Sequence, residues 1–229
     1  MTDDEGSAYD RLFYPYLFAG GSVSADEVLA QVRGSILAKC DEIAQLRRAV
    51  LEQSGARIVA VGSAVARAFA AGATLLAFGN GGSATDAQDL VADLTAPPAP
   101  GRPALPAIAL TDDIAVVTAV GNDVGFENVF ARQVIAFGRQ GDIAVGISTS
   151  GSSANVLAAL EQAKRQGMLT VALAGYDGGK TARSAAVDHC LVVPSDHIPR
   201  IQEAQATVYH ALLDVIFASL SPSTGEDAA

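Results

Sequence analysis

Apolar residues recur at mostly three- and four-residue steps from Ala25 to Gln53, through Val28, Leu29, Val32, Ile36, Leu37, Ile43, Leu46 and Val50. That is the spacing of one helix face. Ser54-Gly55 interrupts the pattern, and a second helix is expected over Arg57–Ala70, ending at Ala71-Gly72. Beyond Gly72 the period shortens. Thr74–Phe78, Ala107–Leu110, Ile143–Ile147, Thr170–Leu173 and His189–Val193 are short apolar runs, and each of the first four leads through Gly, Ser or Asp into a helical stretch. Strands apolar on both faces, alternating with helices, predict an α/β fold: a parallel sheet of five strands, covered on both sides and joined by right-handed crossovers. The proline cluster Pro97–Pro106 reads as a loop, since the alternation resumes after it. A last helix is expected from about Pro199, a residue suited to a first helical turn, to Ser219. Residues 24–220 thus read as one domain and residues 221–229 as a disordered tail.

Residues 1–23 stand apart. Tyr9, Phe13, Tyr14, Tyr16 and Phe18 crowd into a segment ending at Gly20-Gly21-Ser22. Such an arm either packs on its own subunit or a neighbour, or serves residues 1–20 as a docking peptide for another protein.

Composition narrows the class. Half of the 229 residues are apolar and 17% are charged, which excludes a disordered chain or a coiled coil. The most apolar stretches are broken too early to span a membrane. The formal charge of −10 argues against a non-specific grip on nucleic acid. An acidic N-terminus and two cysteines without metal or redox spacing, Cys40 and Cys190, predict a cytoplasmic protein with ordinary buried thiols.

In an open parallel sheet, ligands bind beyond the carboxyl ends of the strands. After the first strand comes Gly79-Asn80-Gly81-Gly82-Ser83, opening a helix. Its glycines let backbone approach a ligand, and the helix N-terminus offers free N–H groups. It departs from the dinucleotide fingerprint at Ala84 and lacks the Gly-Lys-Ser/Thr of a nucleotide-triphosphate loop. After the third strand comes Ser148-Thr149-Ser150-Gly151-Ser152-Ser153. One hydroxyl suffices for a helix cap. Five point to a phosphate held by hydroxyl and backbone donors.

These segments carry a resemblance. Gly79–Gln88 (GNGGSATDAQ), Gly121-Asn122-Asp123, Gly146–Asn155 (GISTSGSSAN), Gly175–Lys180 (GYDGGK) and Arg200-Ile201-Gln202-Glu203 resemble, in the same order, the signatures of the phosphoheptose isomerase family of sugar isomerase (SIS) domains. The match spans roughly residues 25 to 220. The resemblance implies a flavodoxin-like SIS fold with N-terminal helices, a homotetramer, and isomerisation of sedoheptulose 7-phosphate to glycero-manno-heptose 7-phosphate. It implies that Ser148, Thr149, Ser150 and Ser153 hold the phosphate. Gly81, Gly82, Ser83, Asn122, Asp123 and Gln202 would bind the rest of the substrate. Family members use a glutamate and a last-helix histidine as acid–base groups; both also bind zinc, with a second histidine and the glutamine.

Here the chain departs from its relatives. Gln202 and His210 are retained, but Asp89 replaces the zinc-binding histidine and Asp93 the catalytic glutamate. The implied catalytic pair is Asp93 and His210, and the implied metal set is Asp89, Asp93, Gln202 and His210. Asp89 and Asp93, four apart, share a helix face, whose plain alternative is a solvated acidic surface. Three oxygens and one nitrogen suit manganese or magnesium better than zinc. Without the resemblance, His210 in an apolar helix reads as a core residue. Three functions stay open: the heptose phosphate isomerase, an isomerase of another phosphosugar, and a sugar-phosphate-binding scaffold resembling the DnaA initiator-associating protein.

Overall fold

The structure, a computed structural model, describes residues 24–221. The aromatic arm and residues 222–229 of the tail lie outside the described residues. The chain divides into two compact units, one through Asp41 and one from Glu42.

The first described element is helix α1, Ala25–Ala70. Its start is a capping box: Ser24 Oγ accepts from the Glu27 amide, and Glu27 Oε2 accepts from the Ser24 amide, each at 3.2 Å. Within the first unit, Val28, Leu29, Val32, Ile36 and Leu37 are exposed. The sequence pattern predicts two helices here; the structure has one. A mid-helix glycine costs about 1 kcal/mol, and Gly55 meets only Leu51. Val50, Ile58, Val61, Val65 and Phe69 keep one face buried on both sides of the expected break, and that burial outweighs the glycine.

The second unit holds the sheet. Strands β1 (Leu75–Gly79), β2 (Ala107–Ala109), β3 (Ile143–Ser148), β4 (Leu169–Gly175) and β5 (His189–Val193) are all parallel, in the order β2-β1-β3-β4-β5. Each lies within two residues of its expected place. Between them run α2 (Gly82–Thr95), α3 (Ile114–Asp123), a 3-10 turn (Phe126–Asn128), α4 (Val129–Phe137) and α5 (Ala154–Arg165). A second 3-10 turn, Thr181–Arg183, precedes β5, and α6 (Ile198–Leu220) closes the fold.

Alternation along the strands explains the layers. Leu75 and Ala77 of β1 face a core built with α1, α2 and α6, whereas Leu76 and Phe78 face one built with α4 and α5. Strand order reverses between β1 and β3, so the crevice above their carboxyl ends is the switch point where such sheets take ligands. The glycine loop leaves β1 there and the serine loop leaves β3 there.

The cysteines depart from expectation. Cys40 is exposed, as are Ile36 and Leu37 one turn before it on α1, and Cys190 is half-buried beside Thr181. Among the described residues no helix is long and apolar enough to cross a membrane.

Candidate active site

The serine loop is built to face inward. Ser153 occupies the N-cap of α5, yet its side chain caps nothing. Ser153 Oγ instead lies 2.9 Å from Ser148 Oγ, which is 3.3 Å from Ser150 Oγ. Ser148 is buried, Thr149 half-buried and Ser150 exposed. A ring of hydroxyls at an uncapped helix N-terminus suits a phosphate without any cation.

Two neighbours fix this loop. Asn80 and Asn155 exchange amide hydrogen bonds, each 2.8 Å, tying the glycine loop to the start of α5. The Gly175–Lys180 segment lies directly against the serine loop. Gly175 and Thr181 donate amides to the Thr149 and Gly151 carbonyls at 3.0 and 2.9 Å, and the Lys180 amide donates to Ser152 Oγ at 3.1 Å. A Cβ on Gly179 would sit 2.4 Å from the Ser150 carbonyl oxygen. Gly175 and Gly179 of GYDGGK are therefore required by backbone contact with the serine loop, a role the sequence alone does not disclose. Tyr176, with φ of 52°, is the one non-glycine residue in the left-handed region among the described residues. Holding it there costs about 1 kcal/mol, and such strain concentrates at working sites.

Gly81, in the left-handed region at φ 56°, caps α2 without a side chain, and Gly82 opens the helix with Ser83 buried behind it. Gln202, half-buried on α6, lays its amide over Gly82: a Cβ there would meet Gln202 Nε2 at 1.9 Å. Arg200, buried at the start of the same helix, is paired with Glu42 and Glu203 at 3.1 and 2.9 Å, which anchors the segment bearing Gln202. Asn122 and Asp123 end α3, are exposed, and bond to each other at 2.7 Å rather than to either loop.

Farther along α2, three side chains converge. His210 Nε2 lies 3.6 Å from Oδ2 of both Asp89 and Asp93. His210 is half exposed rather than a core residue, and the two aspartates face it as well as solvent. Pro98, Arg102 and Phe217 line a cleft beside Asp93 and His210. Arg102 is held there by Asp214 at 2.8 Å and lies over the Phe217 ring. Tyr209, buried, donates its phenol hydrogen to Asp89 Oδ2 at 2.6 Å. Burial, then its bond to Asp89, pushes that phenol far above its ordinary range, so it stays a donor.

Asp86, one turn before Asp89, has a buried Oδ2 without a hydrogen-bond partner. Burial, with Asp89 nearby, raises its carboxyl from 3.8 to about 6. Below about 4 both folded and unfolded chains hold this proton. From there to about 6 only the folded chain keeps it, so stability falls as pH rises, and above 6 the loss is complete. Asp86→Asn should therefore gain in melting temperature relative to the parent as pH rises from 4 to 7, as followed by circular dichroism. A constant difference across that range would contradict the assignment.

The residues implied for a metal do not fit one. A metal draws donors to about 2.0–2.2 Å from one point. Here Asp89 Oδ2, the oxygen facing His210, is already bound by Tyr209. Gln202 sits over Gly82, seven residues and about 10 Å of helix rise from Asp89. Among the described residues, no group of three or more His, Cys, Asp or Glu is arranged to hold a metal ion.

Comparison with known proteins agrees with this architecture. The family model of the SIS domain matches residues 40–175. The phosphoheptose isomerase of Roseiflexus sp. is 46% identical over 171 residues, covering 75% of this chain and 86% of that protein. That of Citrifermentans bemidjiense is 45% identical over 189 residues, covering 82% and 95%. The solved phosphoheptose isomerase of Neisseria gonorrhoeae superposes with a TM-score of 0.76 at 38% identity, over 82% of this chain and 99% of the other. On the family-model match over residues 40–175 and these identities, the chain belongs to the phosphoheptose isomerase family of SIS-domain proteins.

Proposed function

We propose that this chain is an aldose–ketose isomerase that converts sedoheptulose 7-phosphate to glycero-manno-heptose 7-phosphate through an enediol. The observation that carries the reading is a site with two ends. The hydroxyl ring sits above β3, and the Asp89–His210–Asp93 group lies two to three turns along α2 from the glycine loop. In this reading an extended sugar phosphate lies between the two ends, with its charged end on Ser148, Thr149, Ser150 and Ser153. Gly81, Gly82, Ser83, Gln202, Asn122 and Asp123 then serve the hydroxylated chain between.

The reaction moves one proton from C1 to C2 and one from O1 to O2. Asp93 and His210 divide these transfers, a carboxylate and an imidazole being the groups suited to both near neutral pH. The enediol is uncharged once the oxygen is protonated, so no net charge is left on the sugar. A scaffold without catalysis gives no reason for an accessible imidazole facing two carboxylates. Membership in the family is compatible with a divalent metal. Asp89, Asp93, Gln202 and His210 are the residues that would hold such an ion, zinc by resemblance or manganese or magnesium by donor type, but the misfit of those donors leaves no step to route through it.

The exposed stripe Val28–Leu37 supports a homotetramer built on α1, and the thiol and charge pattern supports a cytoplasmic setting. The aromatic arm, residues 1–23, is proposed as a contact for a neighbouring copy or another protein. The test of function is proton NMR of the purified chain with sedoheptulose 7-phosphate in deuterated water. Solvent deuterium should enter at the carbon next to the carbonyl; binding without exchange would sink the isomerase reading.

A further inference from the structure

We propose that Tyr209 takes the place of a metal ion in this site: its hydroxyl, donated to Asp89, fixes the Asp89–His210–Asp93 group, and the site works without a divalent ion. The inference rests on the isomerase reading for its turnover arm alone.

Three observations converge on Tyr209. It is 2% exposed, yet its hydroxyl emerges at the acidic face of α2 to bind Asp89 Oδ2 at 2.6 Å. Its ring lies 4.6 Å, centroid to centroid, from the imidazole of His210, the next residue. And the oxygen it binds is the one facing His210 Nε2. One buried side chain therefore touches both a carboxylate and the imidazole beside it, fixing their mutual orientation without itself entering the cleft lined by Asp93 and His210.

The carboxylate chemistry runs the same way. A metal orients its ligands by drawing them to itself, and the shell around them keeps them there. Asp89 is oriented from behind by the Tyr209 hydroxyl, which donates to its Oδ2 at 2.6 Å. Its second neighbour, His210, is shared with Asp93 at the same 3.6 Å. Gln202, needed to complete an oxygen-rich set, is committed to the first turn of α2. Tyr209 is thus a positioning residue, acting on the sugar only through Asp89 and His210.

The test uses the full chain, dialysed against a chelator. Zinc and manganese are titrated into it by calorimetry, metal content is measured by mass spectrometry, and sedoheptulose 7-phosphate turnover is followed with and without chelator. The expected results are no stoichiometric metal and turnover indifferent to chelation. Tyr209→Phe, which removes only the hydroxyl, should lower kcat about 10-fold with KM unchanged. The double variant Tyr209→Phe/Asp89→His, which exchanges the held carboxylate for an imidazole, should gain zinc affinity.

Stoichiometric metal in the purified parent chain, tight zinc binding to it, or turnover lost on chelation and restored by the ion would each overturn the proposal. So would a Tyr209→Phe variant with unchanged kcat. If no sugar turns over under any condition, the isomerase reading fails by itself. The zinc titration of the parent chain then still decides the metal question: tight binding refutes the proposal and its absence upholds it.

Discussion

Alanine at His210 is expected to lower kcat by about 10²–10⁴-fold, the range for losing a positioned general acid–base group, while leaving KM and melting temperature nearly unchanged. The separation follows from where His210 sits. Its side chain is half exposed, at 52%, and it meets the body of the protein through two aspartates at 3.6 Å and the edge of Tyr209. Removing it opens no cavity and strips no buried partner, so folding has little to lose. The serine loop, proposed to hold the phosphate, lies elsewhere, on β3 and α5, so ground-state binding is expected to persist. Equal losses in kcat and kcat/KM identify an interaction used in the transition state. Asp93→Asn should behave alike, because it keeps the shape and removes the base. The double variant should be scarcely worse than either single one if the two act as a unit. Steady-state kinetics on all three decides it. A His210→Ala enzyme with native kcat would remove the imidazole from the mechanism.

Gly175→Ala should fail in the opposite way, raising KM for the sugar phosphate and costing about 1–3 kcal/mol of stability, as overpacking does. A Cβ at Gly175 would lie 2.3 Å from the Thr149 carbonyl oxygen and 2.6 Å from Ile201 Cδ1. Ile201 is fully buried and would be crowded at Cγ2 as well, and the carbonyl belongs to the serine loop itself. Its only relief is to move that loop away from β4, which also breaks the Gly175 amide bond to Thr149. The hydroxyls then lose their common focus. Denaturant titration and KM, measured on one preparation, test both halves. A variant with parental KM but reduced stability would mean that the loop does not carry the phosphate.

Much of this was legible in the chain because parallel strands buried on both faces announce themselves as unbroken apolar runs. The boundaries of β5 agree with the pattern outright, and β1 is offset by one residue. The single helix α1 was not legible. Ser54-Gly55 carries a local breaking preference, and the burial of Val50 and Ile58 that overrides it depends on surfaces distant in sequence. Contacts across the fold were likewise hidden. Tyr209 in an apolar helix reads as core, which it is, and nothing local shows that its hydroxyl meets an aspartate 120 positions earlier. A hint existed: Gln202 and Tyr209 are seven apart, on one face of α6, as Asp86 and Asp93 are on α2. The same limit applies to GYDGGK. Its glycines advertise tight backbone, but the partner, another loop's carbonyls, is a matter of tertiary placement.

The amide exchange between Asn80 and Asn155 gives the site a frame that ignores acidity. Each side chain gives the other one hydrogen and takes one from it, and neither carries a group that titrates in water. Turning either amide over alone would set two carbonyl oxygens and two NH₂ groups against each other, and turning both would set the Asn155 NH₂ against the Val156 amide that its Oδ1 now accepts, so the pair has one arrangement. The proton-transfer groups thus work beside a clasp whose alignment is the same in acid as in base, and the bell of a pH–rate profile reports the chemistry rather than a loosening of the cradle.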